Sequence, residues 1–282
     1  RAGFFVFPLV GGGARTLTMK ELGEAAARRE LYLQREGERL IVALGKQAGN
    51  AIDETTKHIT SLVEQLLRKL KAPQNVTPSI YSELHKILSE FSPEALDKLL
   101  HIKGVDIVLN DMAQSWRKLQ GGKFQLQYFA NHLAEGTSIV QFEVKEEIKI
   151  GKETVARTYD IVTEKGMQET RYELKNWSGW QSWSSKAFRD QFLKDLSTMA
   201  KGKRVKWVFS GHKMNREEIK RKVIGALQDD KWKAQLTSMI RKLPEKSSLE
   251  TIFGSEIGDA ESLIKAIDEH DTIFDFLFEI TK

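Results

Sequence analysis

The spacing of apolar positions changes period along the chain. Through Leu133 apolar side chains recur three and four residues apart, the spacing of amphipathic helices. Leu17–Leu44 is rich in Ala, Glu, Arg and Leu and predicts helix. Asp53–Leu70 places Ile59, Leu62, Val63, Leu66 and Leu67 on one face, and Pro73 stops it. Thr77-Pro78 and Ser92-Pro93 each read as an N-cap followed by proline at the first helical position. They predict helices over 78–90 and 93–102, the second closed by Gly104. Val105–Leu119 and Phe124–Leu133 read as one or two helices broken at Gly121-Gly122.

The period then drops to two. In Ser138–Lys145, Val140, Phe142 and Val144 alternate with Ile139, Gln141, Glu143 and Lys145. A turn at Ile150-Gly151-Lys152 leads to a second strand, Thr154–Val162, and Gly166 to a third, Thr170–Trp177. Helical spacing returns over Ser184–Met199, and Val205–Phe209 is a short fourth strand. Arg216–Leu227 and Asp230–Leu243 read as basic helices, the latter ended by Pro244. Ser262–Ile280 reads as an acidic amphipathic helix with an apolar end. The expected fold is α/β, with an αβββαβ core flanked by helices. The expected division is a helical region at 1–104, the core at 105–214 and a helical extension at 215–282.

Composition narrows the classes. Of 282 residues, 40% are apolar and 29% charged, which is a globular balance. The absence of cysteine removes disulfides, thiolate nucleophiles, zinc ribbons and iron–sulfur clusters. The longest apolar run, Phe4–Val10, is interrupted by Pro8 and falls short of the roughly 20 residues a membrane span needs. Gly11-Gly12-Gly13 lacks the Lys-Ser/Thr of a phosphate-binding P-loop, and no His-Glu-x-x-His occurs. Arg1 in place of Met points to a piece of a longer chain.

Charge is unevenly placed within a net of +5. Lys186–Lys242 holds 16 Lys/Arg against 6 Asp/Glu, and Lys246–Lys282 holds 3 against 9. A basic middle suits a polyanion, and it equally suits two helical faces of opposite sign packed together.

The segment that carries chemistry is Asp160, near the end of the second strand, with Glu173-Leu174-Lys175 on the third. Residues two apart on a strand share a face, so Glu173 and Lys175 point one way and a hairpin brings Asp160 beside them. Two carboxylates can hold a hard divalent cation, and the lysine can orient water or stabilise charge on a phosphodiester. Without a metal the same trio is a structural ion pair.

This arrangement resembles the PD-(D/E)XK nuclease superfamily, over roughly residues 120–210. The resemblance implies a restriction-endonuclease-like core, a phosphodiesterase activity and Mg²⁺, Mn²⁺ or Zn²⁺ held by Asp160 and Glu173. It implies a catalytic set of Asp160, Glu173, Lys175 and Gln191, the last from the helix after the third strand. A departure lies in the preceding helix, where Gln125 and Gln127 stand where an acid is expected, with Glu135 and Glu143 as alternatives. Trp177, Trp180 and Trp183 lie on a loop beside the trio, placed to stack on bases or to cover the underside of the site. Trp177, Trp180, Lys186, Arg189, Lys203 and Arg204 form the expected nucleic-acid contacts.

The layout further resembles the C-terminal toxin regions of bacterial polymorphic toxins. That implies delivery into a target-cell cytoplasm, DNA as substrate ahead of tRNA, and a cognate immunity protein. The competing expectation is a non-catalytic scaffold of the same fold that binds nucleic acid or protein.

Overall fold

The computed structural model describes residues 54–134, 138–150, 152–166, 168–176, 180–211, 215–243, 248–254 and 257–281. The expected helix at 17–44, together with Trp177 and Glu135, lies outside them. The chain divides into two compact units, 1–57 and 58–282, and the elements below belong to the second.

That unit is mixed α/β. Residues 58–67 form α1, followed by α2 (Pro78–Ser89), α3 (Pro93–His101), α4 (Val105–Met112) and α5 (Trp116–Ala134). Then come β1 (Ser138–Ile150), β2 (Glu153–Lys165), β3 (Gln168–Lys175), α6 (Ser185–Met199) and β4 (Arg204–Ser210). The C-terminal part holds α7 (Arg216–Leu227), α8 (Asp230–Ile240), α9 (Ser248–Phe253), α10 (Ala260–Glu269), α11 (Asp271–Leu277) and β5 (Phe278–Thr281). The expected order of helix, three-strand meander, helix and strand is present.

The five strands lie in sequence order, β1-β2-β3-β4-β5. The meander is antiparallel, and β4 and β5 add in parallel. A sheet buried on both faces needs two helical layers. The first packs Leu62, Leu66, Leu84, Leu96, Leu109 and Phe129 against Phe142, Ile161, Tyr172 and Val208. The second packs Phe192, Leu196, Leu227, Leu236, Ile267 and Phe274 against Tyr159, Val205, Trp207 and Phe209.

Three local expectations change. Gly121-Gly122 does not break a helix, because α5 runs through both. A Cβ on Gly122 would stand 2.1 Å from Cγ of Met112, so the missing side chain lets α4 and α5 close together. Thr77 makes no side-chain capping bond, whereas Ser92 caps Ala95 as expected. The single helix expected over Ser262–Ile280 is three elements. The backbone turns extended at His270, and Phe278–Thr281 is a strand pairing with Trp207–Ser210. That pairing fills backbone hydrogen bonds that β4 would otherwise expose.

Part of the charge asymmetry is packing of opposite faces. Arg216 pairs with Asp271 and Asp275, Lys220 with Asp271, Lys233 with Glu261, and Lys206 with Glu279.

Candidate active site

The β2–β3 ladder runs from Lys165↔Gln168 to Ile161↔Tyr172 and stops. Beyond it the strands part. The N–H of Leu174 donates not to backbone but to Oδ2 of Asp160, at 2.5 Å. A side-chain carboxylate thus stands at a fork in the sheet, where a ladder bond would continue.

Asp160 lines a hollow of about 190 Å³ with Asp111, Lys118, Gly121, Gln125, Glu143 and Leu174. Gln125, nearly fully buried on α5, donates to Oε1 of Glu143 at 3.1 Å and to the carbonyl of Asp160 at 2.6 Å. Glu143 has a backbone φ of 49°, a left-handed conformation that is strained for a glutamate in a strand. Burial pushes the Glu143 carboxyl above its ordinary range; Asp111 and Glu173 add to this, while Gln125 and Lys118 oppose it. Asp160 is likewise held well above its ordinary range, first by burial and then by the charge of Glu173. The Leu174 N–H and Lys175 pull the other way.

Glu173 and Lys175 share a face of β3, as their spacing requires, and form an ion pair. They turn toward α6, with the Lys175 ammonium 5.1 Å from the ring centre of Trp207. Asp160 and Glu173 therefore stand together at the fork, within electrostatic reach of each other, while Asp160 opens into the α5 hollow and Glu173 leans on the α6 layer. Gln191 is half-buried on α6, one turn before Asp195.

Arg157 and Asp195 belong to this site without standing in any motif of the sequence. Arg157 donates to Oε2 of Glu173 at 2.8 Å and grips both oxygens of Asp195 at 2.9 and 3.2 Å. Trp207 donates its indole N–H to Asp195 at 2.8 Å. Burial disfavours the Arg157 cation, but Asp195 and Glu173 more than offset this and hold it above its ordinary value. A basic residue facing the core at 157 and an acidic one on the apolar stripe of α6 were the available cues.

The other expected contacts are spread out. Trp180 is half-buried, edge-on to Trp183 at 5.8 Å, and carries the Lys222 ammonium 5.4 Å from its ring centre. Trp183 stacks on Phe188, and both tryptophans pack against the α6 core. Lys186 is exposed. Arg189 is engaged internally, with the Ala226 carbonyl at 3.2 Å and Asp229 at 3.1 Å. Lys203 pairs with Glu146 at 3.3 Å, and the Arg204 guanidinium lies 4.2 Å from the ring centre of Phe276. Register puts Arg204 beside Thr170 and Phe209 beside Lys175, so Lys203 and Arg204 sit at the far end of the sheet from the fork. Gln127 lines a separate hollow with Glu90 and Glu94.

Among the described residues no three His, Asp or Glu side chains form a ready metal cage. Mg²⁺ needs none, since it keeps most of its waters and is bound through one or two carboxylates plus substrate phosphate. Asp160 and Glu173 fit that chemistry: they are hard oxygen donors whose mutual repulsion a cation would relieve. No protein-family model, curated protein or solved structure matches the chain.

Proposed function

We propose that the chain is a metal-dependent nuclease with a restriction-endonuclease-like core, acting on DNA, with tRNA as the alternative substrate. The observation that carries this reading is the fork itself. Asp160 and the Glu173-x-Lys175 pair meet where two antiparallel strands part, in a sheet whose order of elements is that of the resemblance.

Asp160 and Glu173 would hold the ion at the fork, with Glu143 beside Asp160 in the hollow. The bound ion supplies charge neutralisation at the phosphate and a more acidic water. Lys175, paired with Glu173, would stabilise negative charge developing on the phosphate oxygens. Gln191 would offer an amide from α6 for the same phosphate. Delivery as a toxin, with an immunity protein as partner, belongs to the proposal and rests on the resemblance alone.

The test is cleavage of supercoiled plasmid and of total tRNA with Mg²⁺, Mn²⁺ or EDTA, using wild type and Lys175→Ala. Metal-dependent plasmid nicking, reduced about 10²-fold or more in the variant, is the expected result. Binding without cleavage of either substrate would replace the nuclease with a nucleic-acid-binding scaffold.

A further inference from the structure

Glu173 is gripped from behind. Arg157 donates through Nη1 to Glu173 Oε2 at 2.8 Å and to the carbonyl of Thr158 at 2.7 Å. The other edge of its guanidinium fork grips Asp195, Nε to Oδ1 and Nη2 to Oδ2. Tyr159 lies under the guanidinium at 4.7 Å, and Trp207 donates to Asp195 from the far side. Arg157, Glu173 and Asp195 are all buried, at 5%, 5% and 0% exposure.

Such a cluster is a poor way to hold a sheet to a helix. Desolvating three charges consumes most of what their pairing returns, and well-packed apolar side chains commonly do as well. What the cluster supplies is direction. A guanidinium is planar, and its donors leave at fixed angles, so an arginine clamped along one edge aims its remaining corner at one point. That point is one oxygen of the carboxylate next to the fork.

We infer that Arg157, locked by Asp195, is a positioning residue that holds Glu173 by Oε2, so that Oε1, the oxygen paired with Lys175, is the one turned to the site. The inference rests on the nuclease reading. It has a signature that a purely structural role lacks. A guanidinium 2.8 Å from a carboxylate competes with any cation for that carboxylate, so it weakens metal binding while improving alignment. Without Arg157, Oε2 of Glu173 is released and can turn to the ion, while Oε1 keeps its pairing with Lys175. Binding then becomes no weaker, and turnover becomes slower.

The experiment compares wild type, Arg157→Lys and the double variant Arg157→Met/Asp195→Asn. The double variant removes both charges together, so neither is left buried alone. Mn²⁺ affinity is measured by calorimetry, and kcat for plasmid cleavage at saturating Mn²⁺. The expected result is Mn²⁺ affinity equal to or tighter than wild type, with kcat lowered roughly tenfold or more. Arg157→Lys keeps the charge without the fork; it is expected to hold wild-type affinity and still lose kcat, and it decides the matter if the double variant does not fold. Wild-type kcat in a folded variant overturns the positioning role, as does affinity that falls in step with kcat. A wild-type chain that neither binds Mn²⁺ nor cleaves removes the nuclease reading instead.

Discussion

Asp160 accepts the backbone N–H of Leu174 through Oδ2, and by doing so takes the place of a rung in the β2–β3 ladder. This one bond couples the position of a proposed metal ligand to the strand that carries the other two working residues. It holds the fork open and points the carboxylate into the hollow.

Asp160→Asn is expected to stabilise the fold while abolishing cleavage. Asparagine keeps an acceptor for Leu174 and removes a charge that burial and Glu173 make unfavourable. The sign follows from linkage. The folded-state pKa lies above the ordinary 3.8, so stability falls as pH rises from 3.8, where the unfolded chain ionises, and the loss is complete once pH passes the raised value. The gain in urea midpoint is therefore largest at neutral pH and vanishes toward pH 3.8 and below. An equal gain at all pH values would show that the charge is not its origin.

Gln125→Glu would supply the acid that the resemblance leads one to expect on α5, yet it is expected to damage the site. The wild-type amide donates to Glu143 and to the Asp160 carbonyl, and a carboxylate there faces two acceptors with nothing to donate. A loss of about 2–5 kcal/mol is expected by urea denaturation at pH 8. It shrinks at pH 5, where burial and like charge favour protonation. A variant as stable as wild type at pH 8 would mean that the two hydrogen bonds contribute little.

The adjacent glycines of α5 should respond in opposite directions to alanine. Gly121 has open space where a Cβ would go, so Gly121→Ala is expected to gain up to about 1 kcal/mol from helix propensity. Gly122→Ala drives a methyl into Met112 and is expected to lose about 1–3 kcal/mol through overpacking. Thermal unfolding of the pair checks this, and equal shifts would remove the close approach of α4 and α5 as the reason for Gly122.

Phe278→Ala is expected to cost about 3–5 kcal/mol. The side chain is 2% exposed and meets Phe188, Phe192, Phe209 and Phe274. A surface-like loss below about 0.5 kcal/mol in urea unfolding would show that β5 adds little to the sheet.

The meander was legible because Ser138–Lys145 alternates and turn signals at Gly151 and Gly166 bound the two strands that follow. Glu173 and Lys175 were legible for the same reason, since their shared face follows from spacing. β5 was not, because Phe274–Ile280 is a short apolar run that suits a buried helix end and a buried strand equally. The neighbouring edge of β4 decides it. Gly121-Gly122 misled because glycine ends helices on average, whereas here Gly122 is demanded by a methionine in the preceding helix. Arg157 and Asp195 were silent because their meaning is relational. Each is an ordinary charged residue until the fold lays α6 over β2.

The strand order has a consequence for assembly. Asp160, Glu173 and Lys175 all come from one hairpin, the kind of local pairing that closes in about 1–10 µs. Arg157 and Asp195 meet only when α6 folds back on the sheet, and Trp207 joins them only when the first parallel crossover closes, which is a slower, longer loop. The groups that would touch substrate thus gather early, and the brace that aims them arrives late. A chain caught between those two events would carry its carboxylates side by side and still lack the means to point them.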